Sequence, residues 1–202
     1  MKNINNQQID ILAEIINVAS GNAATSLSKL LNKEINMTCP SVTIRKFEDV
    51  TNDLGESDDV VIATLLKVIG DISGNVLMLV KDDDADFIAK ELLEGLYEEY
   101  NEDMALSVIQ EIGNILGNAY LISMGEFLNC NLLSSVPYLS VDMLFPVLTS
   151  SYIDANQVDD YIIDARCTLF QNDVEFKLSI FFILPSYSIK KIIDKANQLY
   201  SV

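Results

Sequence analysis

There is no histidine in this chain of 202 residues. Without an imidazole, Ser-His and Cys-His nucleophile schemes are excluded, and a zinc site loses a usual ligand. The three cysteines, Cys39, Cys130 and Cys167, have no C-x-x-C spacing. Neither a metal framework nor a disulfide framework is expected from them, only reduced and mostly buried thiols. Basic residues are scarce, 13 against 30 acidic ones, and the net charge of −17 repels nucleic acid and anionic lipid while suiting a protein partner with a basic patch. No GxxxxGK phosphate loop is present. No apolar run reaches the length of a bilayer span, and residues 1–8 lack the apolar core of a signal peptide, so a soluble, cytoplasmic protein without membrane insertion is expected. The run Asp82-Asp83-Asp84 lacks the alternating ligands and central glycine of a calcium loop and suits the positive end of a helix dipole instead.

What the chain does contain is a stretch that occurs twice. Asp10, Glu14, Asn17 and Pro40 stand at intervals of four, three and twenty-three, and Ser107, Glu111, Asn114 and Pro137 repeat those intervals ninety-seven residues later. Leu31-Asn32 answers to Leu128-Asn129 at the same offset, whereas Gly21-Asn22-Ala23 resembles Gly117-Asn118-Ala119 with a one-residue slip. Half of the residues are apolar, enough for one domain built from two related halves, about 1–100 and 101–202, that share a core.

Apolar residues Ile9, Leu12, Ile16, Ala19, Ala23, Leu27 and Leu30 recur every three or four positions and predict a long amphipathic helix over residues 6–31. At 100° per residue Asp10, Glu14, Asn17 and Gly21 fall on a second stripe that faces outward. Strands follow over residues 37–47, 60–69 and 72–80, the last two joined at Gly70-Asp71, with an acidic loop over 48–59. A helix over 82–96 and a short polar joint over 97–103 complete the half. The second half repeats the order. Its helix buries Ile109, Ile112, Leu116, Ala119, Ser123 and Phe127 and turns Ser107, Glu111, Asn114 and Asn118 outward. A strand over 131–142, a loop holding Pro146, Ser150 and Ser151, strands over 158–170 and 174–184 and a helix over 186–200 end it. The fold expected is α+β: a pseudo-twofold duplication of a helix-strand-hairpin-helix unit, with helices packed on one antiparallel sheet.

A glutamate and an asparagine on adjacent turns can offer a carboxylate and a carboxamide to one partner surface. The carboxamide can orient a water and the glutamate can anchor a partner lysine, and positioning of that kind is the main lever in phosphoryl transfer. One such pair on a solvated helix face means little, but its duplication has no folding explanation; the prolines can be explained by a strand start or edge.

Asp10-x-x-x-Glu14-x-x-Asn17 with Pro40, and Ser107-x-x-x-Glu111-x-x-Asn114 with Pro137, resemble the signature of the CheC, CheX and FliY phosphatases of bacterial and archaeal chemotaxis. The segment LAEIINVASGNAATSLSKLLN is similar to CheC in particular, although Ile15-Ile16 and Ala19-Ser20 stand where many relatives have more glycine. Two motifs, on a chain that ends soon after the second half, favour CheC over the one-motif CheX and the longer FliY. The resemblance implies hydrolysis of the aspartyl phosphate on the response regulator CheY, and partnership with the receptor deamidase CheD. It makes Asn17 and Asn114 the residues that position the attacking water and Glu14 and Glu111 those that bind the regulator's lysine, with Asp10 and Ser107 in support. Mg²⁺ is then expected in the regulator's site, and the phosphatase needs no metal or cofactor of its own. Two working sites and a monomeric state are expected. The rival readings are a non-catalytic adaptor that holds CheD or phosphorylated CheY, and a FliY-like component of the flagellar switch.

Overall fold

The computed structural model describes residues 6–46, 49–50, 59–93, 101–154, 161–172 and 174–199. The elements bounded within the described residues run in the order α1 (Asn6–Leu31), β1 (Ile35–Lys46), β2 (Val60–Gly70), β3 (Gly74–Lys81), α2 (Asp82–Leu93), α3 (Glu102–Leu128), β4 (Leu132–Ser134), β5 (Tyr138–Met143), α4 (Leu144–Asp154), β6 (Tyr161–Gln171), β7 (Val174–Ile183) and α5 (Ser186–Leu199). The expected structure of residues 47–48, 51–58, 94–100, 158–160 and 200 lies outside the described residues.

One antiparallel sheet has the order β1-β6-β7-β3-β2-β4, with β5 continuing the edge along β2. The order is symmetric about the β7–β3 pair, where Leu77 lies opposite Phe181 and Met78 opposite Ile180. Each hairpin belongs to one half, but each outer strand comes from the other: β1 pairs with β6, and β4 and β5 pair with β2. The halves thus exchange their first strands.

The motif prolines sit at matching breaks in those exchanged strands. Along β1 the register against β6 shifts between Thr38 and Ser41, a bulge that contains Pro40. In the second half the interruption is wider. The continuous strand expected over 131–142 is two, β4 and β5, parted by Ser135-Val136-Pro137, and the pairing sum along β2 moves by one residue between them. Proline has no N–H for a ladder, so an irregularity is where it can stand. Ser135 fills the gap, donating its N–H to Lys67 O and accepting the Lys67 N–H on its Oγ, both at 2.9 Å.

Helices α1, α2, α3 and α5 cover one face of the sheet and contribute to the larger core, with Ile62, Val76, Met78 and Val80 meeting them from the strands. Alternate residues of the same strands, among them Val61, Ala63, Leu77 and Leu79, form a smaller core under α4 on the opposite face. The central strands are therefore apolar on both sides, as strands covered on both faces must be. Helix α4 corrects the loop expected around Pro146. Proline in a first helical turn forfeits no hydrogen bond, and Leu144, Val147, Leu148 and Ser151 form a buried stripe at helical spacing. The stripe of α1 also differs at its end: Leu30 is 57% exposed and Leu31 takes its buried place.

The repeated Leu-Asn pair has a folding role. Asn32 and Asn129 both adopt positive φ, 50° and 49°, directly after α1 and α3. This is the left-handed turn that ends a helix, and asparagine tolerates it. Helix α3 is also closed at its start, where Asn101 accepts the Met104 N–H on its side chain at 2.9 Å.

Candidate functional site

Both motif helices lie on the same face of the sheet and touch each other. Ser20 Oγ and Tyr120 OH share a hydrogen bond of 2.8 Å, and Asn22 Nδ2 donates to Ser123 Oγ at 2.8 Å. Below this contact Tyr120 OH also meets Cys167 Sγ at 3.4 Å. Burial is the main force that pushes the Tyr120 phenol well above its ordinary pKa. Cys39, Cys130 and Cys167 are free thiols, the first and last buried.

At the first copy, Asp10, Glu14, Asn17 and Gly21 are all exposed along one side of α1. The helix is continuous through Ile15-Ile16 and Ala19-Ser20, all four buried, so the missing glycines leave its backbone regular. The Asn17 side chain makes no hydrogen bond among the described residues. At the second copy, Ser107 and Glu111 are exposed, while Asn114 is half-buried rather than fully outward. The Ser107 hydroxyl donates to Asp103 O at 2.9 Å, a bond within its own helix. Asn114 Nδ2 lies 3.5 Å from Glu111 Oε2, and the carboxylate and carboxamide of this copy form one small polar group.

Glycine explains why Asn114 sits deeper. A Cβ on Gly113 would come within 2.5 Å of Thr64 Cβ, and one on Gly117 within 2.7 Å of Leu66 Cδ1. Helix α3 therefore lies directly on β2, where α1 carries Ile16 and Ser20 at the corresponding positions. Gln110 Nε2 adds a tie to Pro137 O at 3.3 Å, which fixes the strand break beside Glu111. Glu111 and Asn114 thus meet each other, while Pro137 is tied to the same helix through Gln110.

One polar residue acquires a role that helical periodicity did not assign. Asn118, grouped with the outward stripe, is half-buried and donates to Asn114 Oδ1 at 2.8 Å. The one-residue slip between the two Gly-Asn-Ala runs is the signal for it. Asn22, five residues after Asn17, turns toward α3, whereas Asn118, four residues after Asn114, stands directly above the motif asparagine.

Comparison with known proteins finds relatives in sequence and in fold. A profile described as the CheC-like family matches residues 8–44, which span the first motif from before Asp10 to beyond Pro40. The CheY-P phosphatase CheC of Bacillus subtilis (strain 168) is 29% identical over 189 residues, covering 91% of this chain and 90% of that protein. The crystal structure of Thermotoga maritima FliY superposes with a TM-score of 0.78 at 18% identity, over 96% of this chain and 98% of that one. The CheX–CheY–BeF3–Mg²⁺ complex of Borrelia burgdorferi contains a chain that superposes with a TM-score of 0.55 at 13% identity, over 88% of this chain and 99% of that one. With a sequence relative along nine-tenths of its length and a fold shared with FliY and CheX, the chain is similar to the CheC-like family in both sequence and fold.

Proposed function

We propose that the chain is a phosphatase that hydrolyses the aspartyl phosphate of a CheY-type response regulator. The observation that carries this reading is the Glu-x-x-Asn pair set on the outer side of a motif helix in both halves, in a chain whose relative over nine-tenths of its length is a CheY-P phosphatase. Neither side chain is a strong nucleophile, so the chemistry rests on positioning. The Asn17 or Asn114 carboxamide holds a water in line with the phosphorus. Glu14 or Glu111 accepts the ammonium of the regulator's lysine and so seats the regulator on the helix. Water oxygen bonds to phosphorus, the bond from phosphorus to the aspartyl oxygen breaks, and the water's proton leaves with the inorganic phosphate while the aspartate departs as a carboxylate. Asp10 and Ser107 support the contact surface one turn earlier.

Mg²⁺ belongs to the regulator in this scheme, where it neutralises phosphate charge. The regulator, CheD as a second partner, a cytoplasmic location and a monomer held together by its own pseudo-symmetry are parts of the same proposal. Replacing Asn17 and Asn114 together with alanine tests it. The folded double variant should leave the regulator's phosphate to decay at its own rate, as measured by phosphate release; full acceleration would refute the mechanism.

A further inference from the structure

The hydrogen bonds around the second motif run in one direction. Ser134 Oγ donates to Asn118 Oδ1 at 2.6 Å, Asn118 Nδ2 donates to Asn114 Oδ1 at 2.8 Å, and Asn114 Nδ2 faces Glu111 Oε2 at 3.5 Å. Asn118 Nδ2 also donates to the Asn114 backbone carbonyl at 2.8 Å, so the same amide grips both ends of the motif residue. The first copy has no counterpart. Gly21 follows Asn17 at the same interval, Met37 occupies the position of Ser134, and the Asn17 side chain makes no hydrogen bond among the described residues.

We infer that Asn118, anchored to β4 by Ser134, is a positioning residue for the second phosphatase site, holding the Asn114 carboxamide in one orientation before the regulator arrives. The inference rests on the phosphatase reading above. An amide oxygen has two lone pairs and an amide nitrogen two N–H groups. Asn118 takes one lone pair and Glu111 faces one N–H, which leaves one acceptor and one donor of Asn114 for a water and for the regulator. Turning the carboxamide over would set its NH₂ against the NH₂ of Asn118 and its oxygen against the Glu111 carboxylate. Both contacts are unfavourable, so the ordering that a mobile side chain must undergo during the reaction is already complete here. At the first copy Asn17 must be ordered by the partner itself.

The test uses the full chain carrying Asn17→Ala, so that only the second site turns over, with phosphorylated regulator as substrate. Asn118→Ala is expected to lower kcat about two- to tenfold, the range of one net hydrogen bond, with little change in KM. Ser134→Ala should give a smaller loss. Adding it to Asn118→Ala should cost nothing more, because Ser134 acts only through Asn118. The side-chain NH₂ signals of Asn114 in ¹⁵N spectra give a readout that needs no turnover: they should move toward those of a solvated carboxamide in Asn118→Ala. Both variants replace half-buried polar groups by alanine, and circular dichroism checks that the fold is kept. An unchanged kcat in Asn118→Ala overturns the inference, as do additive losses or Asn114 signals that the replacement leaves in place. Failure of the phosphatase reading has a different signature, full activity in Asn17→Ala/Asn114→Ala.

Discussion

At the first copy the Asn17 carboxamide stands in solvent; at the second the same side chain is half-buried and meets Asn118 and Glu111. Residue identity and interval could be read directly from the repeat, and so could the outward direction of Asp10, Glu14 and Asn17. The depth of Asn114 could not, because it depends on how closely α3 approaches β2. Asp71 shows a similar limit. It reads as a plain turn residue, yet its carboxylate accepts the Asn131 N–H at 2.8 Å and lies 3.3 Å from Lys191 Nζ, tying the β2–β3 turn to the end of α3 and to α5. The Asn131 hydrogen bond, followed by that from Lys191, lowers its pKa below the ordinary 3.8. A lowered carboxylate pKa stabilises the fold above the unfolded value, and that contribution is lost as pH falls through the folded one. Thermal unfolding of Asp71→Asn should therefore show a lower Tm than the parent at neutral pH, with the gap closing once the pH falls below the lowered value. A gap that stays constant into acid would show that the charge is not responsible.

Helices and hairpins were legible where their period was strong. The spacing of apolar residues places the end of α1 at Leu31 as expected, and the described parts of both hairpins fall close to their expected bounds. Two elements were not legible. Pro146 and the two serines resemble loop text, so the buried stripe of α4 was hidden by residue types that its first turn and Ser151 tolerate. Ser151 does so by donating its hydroxyl to Val147 O at 2.9 Å. The break between β4 and β5 was hidden because alternation continues on both sides of it. The close seating of α3 makes a prediction about glycine. Gly113→Ala forces a methyl group against Thr64, whose β-branched side chain cannot easily move aside, and should destabilise by about 1–3 kcal/mol. Gly21→Ala meets nothing within 4 Å and should instead stabilise α1 by about 0.5–1 kcal/mol. Chemical denaturation of the two variants decides the matter; equal effects would mean that α3 is not held by that contact.

Over the whole molecule the exchange of first strands makes the two halves mutually dependent. Residues 101–202 alone would leave β6 without β1 and the large core without α1, and residues 1–100 alone would leave β2 without β4 and β5. Neither half should unfold cooperatively by itself, while the two expressed together should recover a cooperative transition; a stable isolated half would contradict the interlocked sheet. The duplication was visible in the sequence as intervals, but which strand joins which hairpin was not, since both hairpins offer apolar edges. The same exchange brings β4 and β5 of one half against β2 of the other and places Pro137 and Ser134 beside α3. The second site thus depends on pieces of both halves. Folding accounts for the repeated prolines, as bulge and break, and for the repeated asparagines after each helix, as left-handed caps. It does not account for the repetition of the Glu14–Asn17 pair as Glu111–Asn114, and on these four residues the functional reading stands. The most direct measurement is phosphate release from a phosphorylated CheY-type regulator with the parent chain, Asn17→Ala, Asn114→Ala and the double variant side by side. The account predicts partial loss in each single variant and return to the regulator's own decay rate in the folded double variant; acceleration equal to the parent's in that double variant would contradict it.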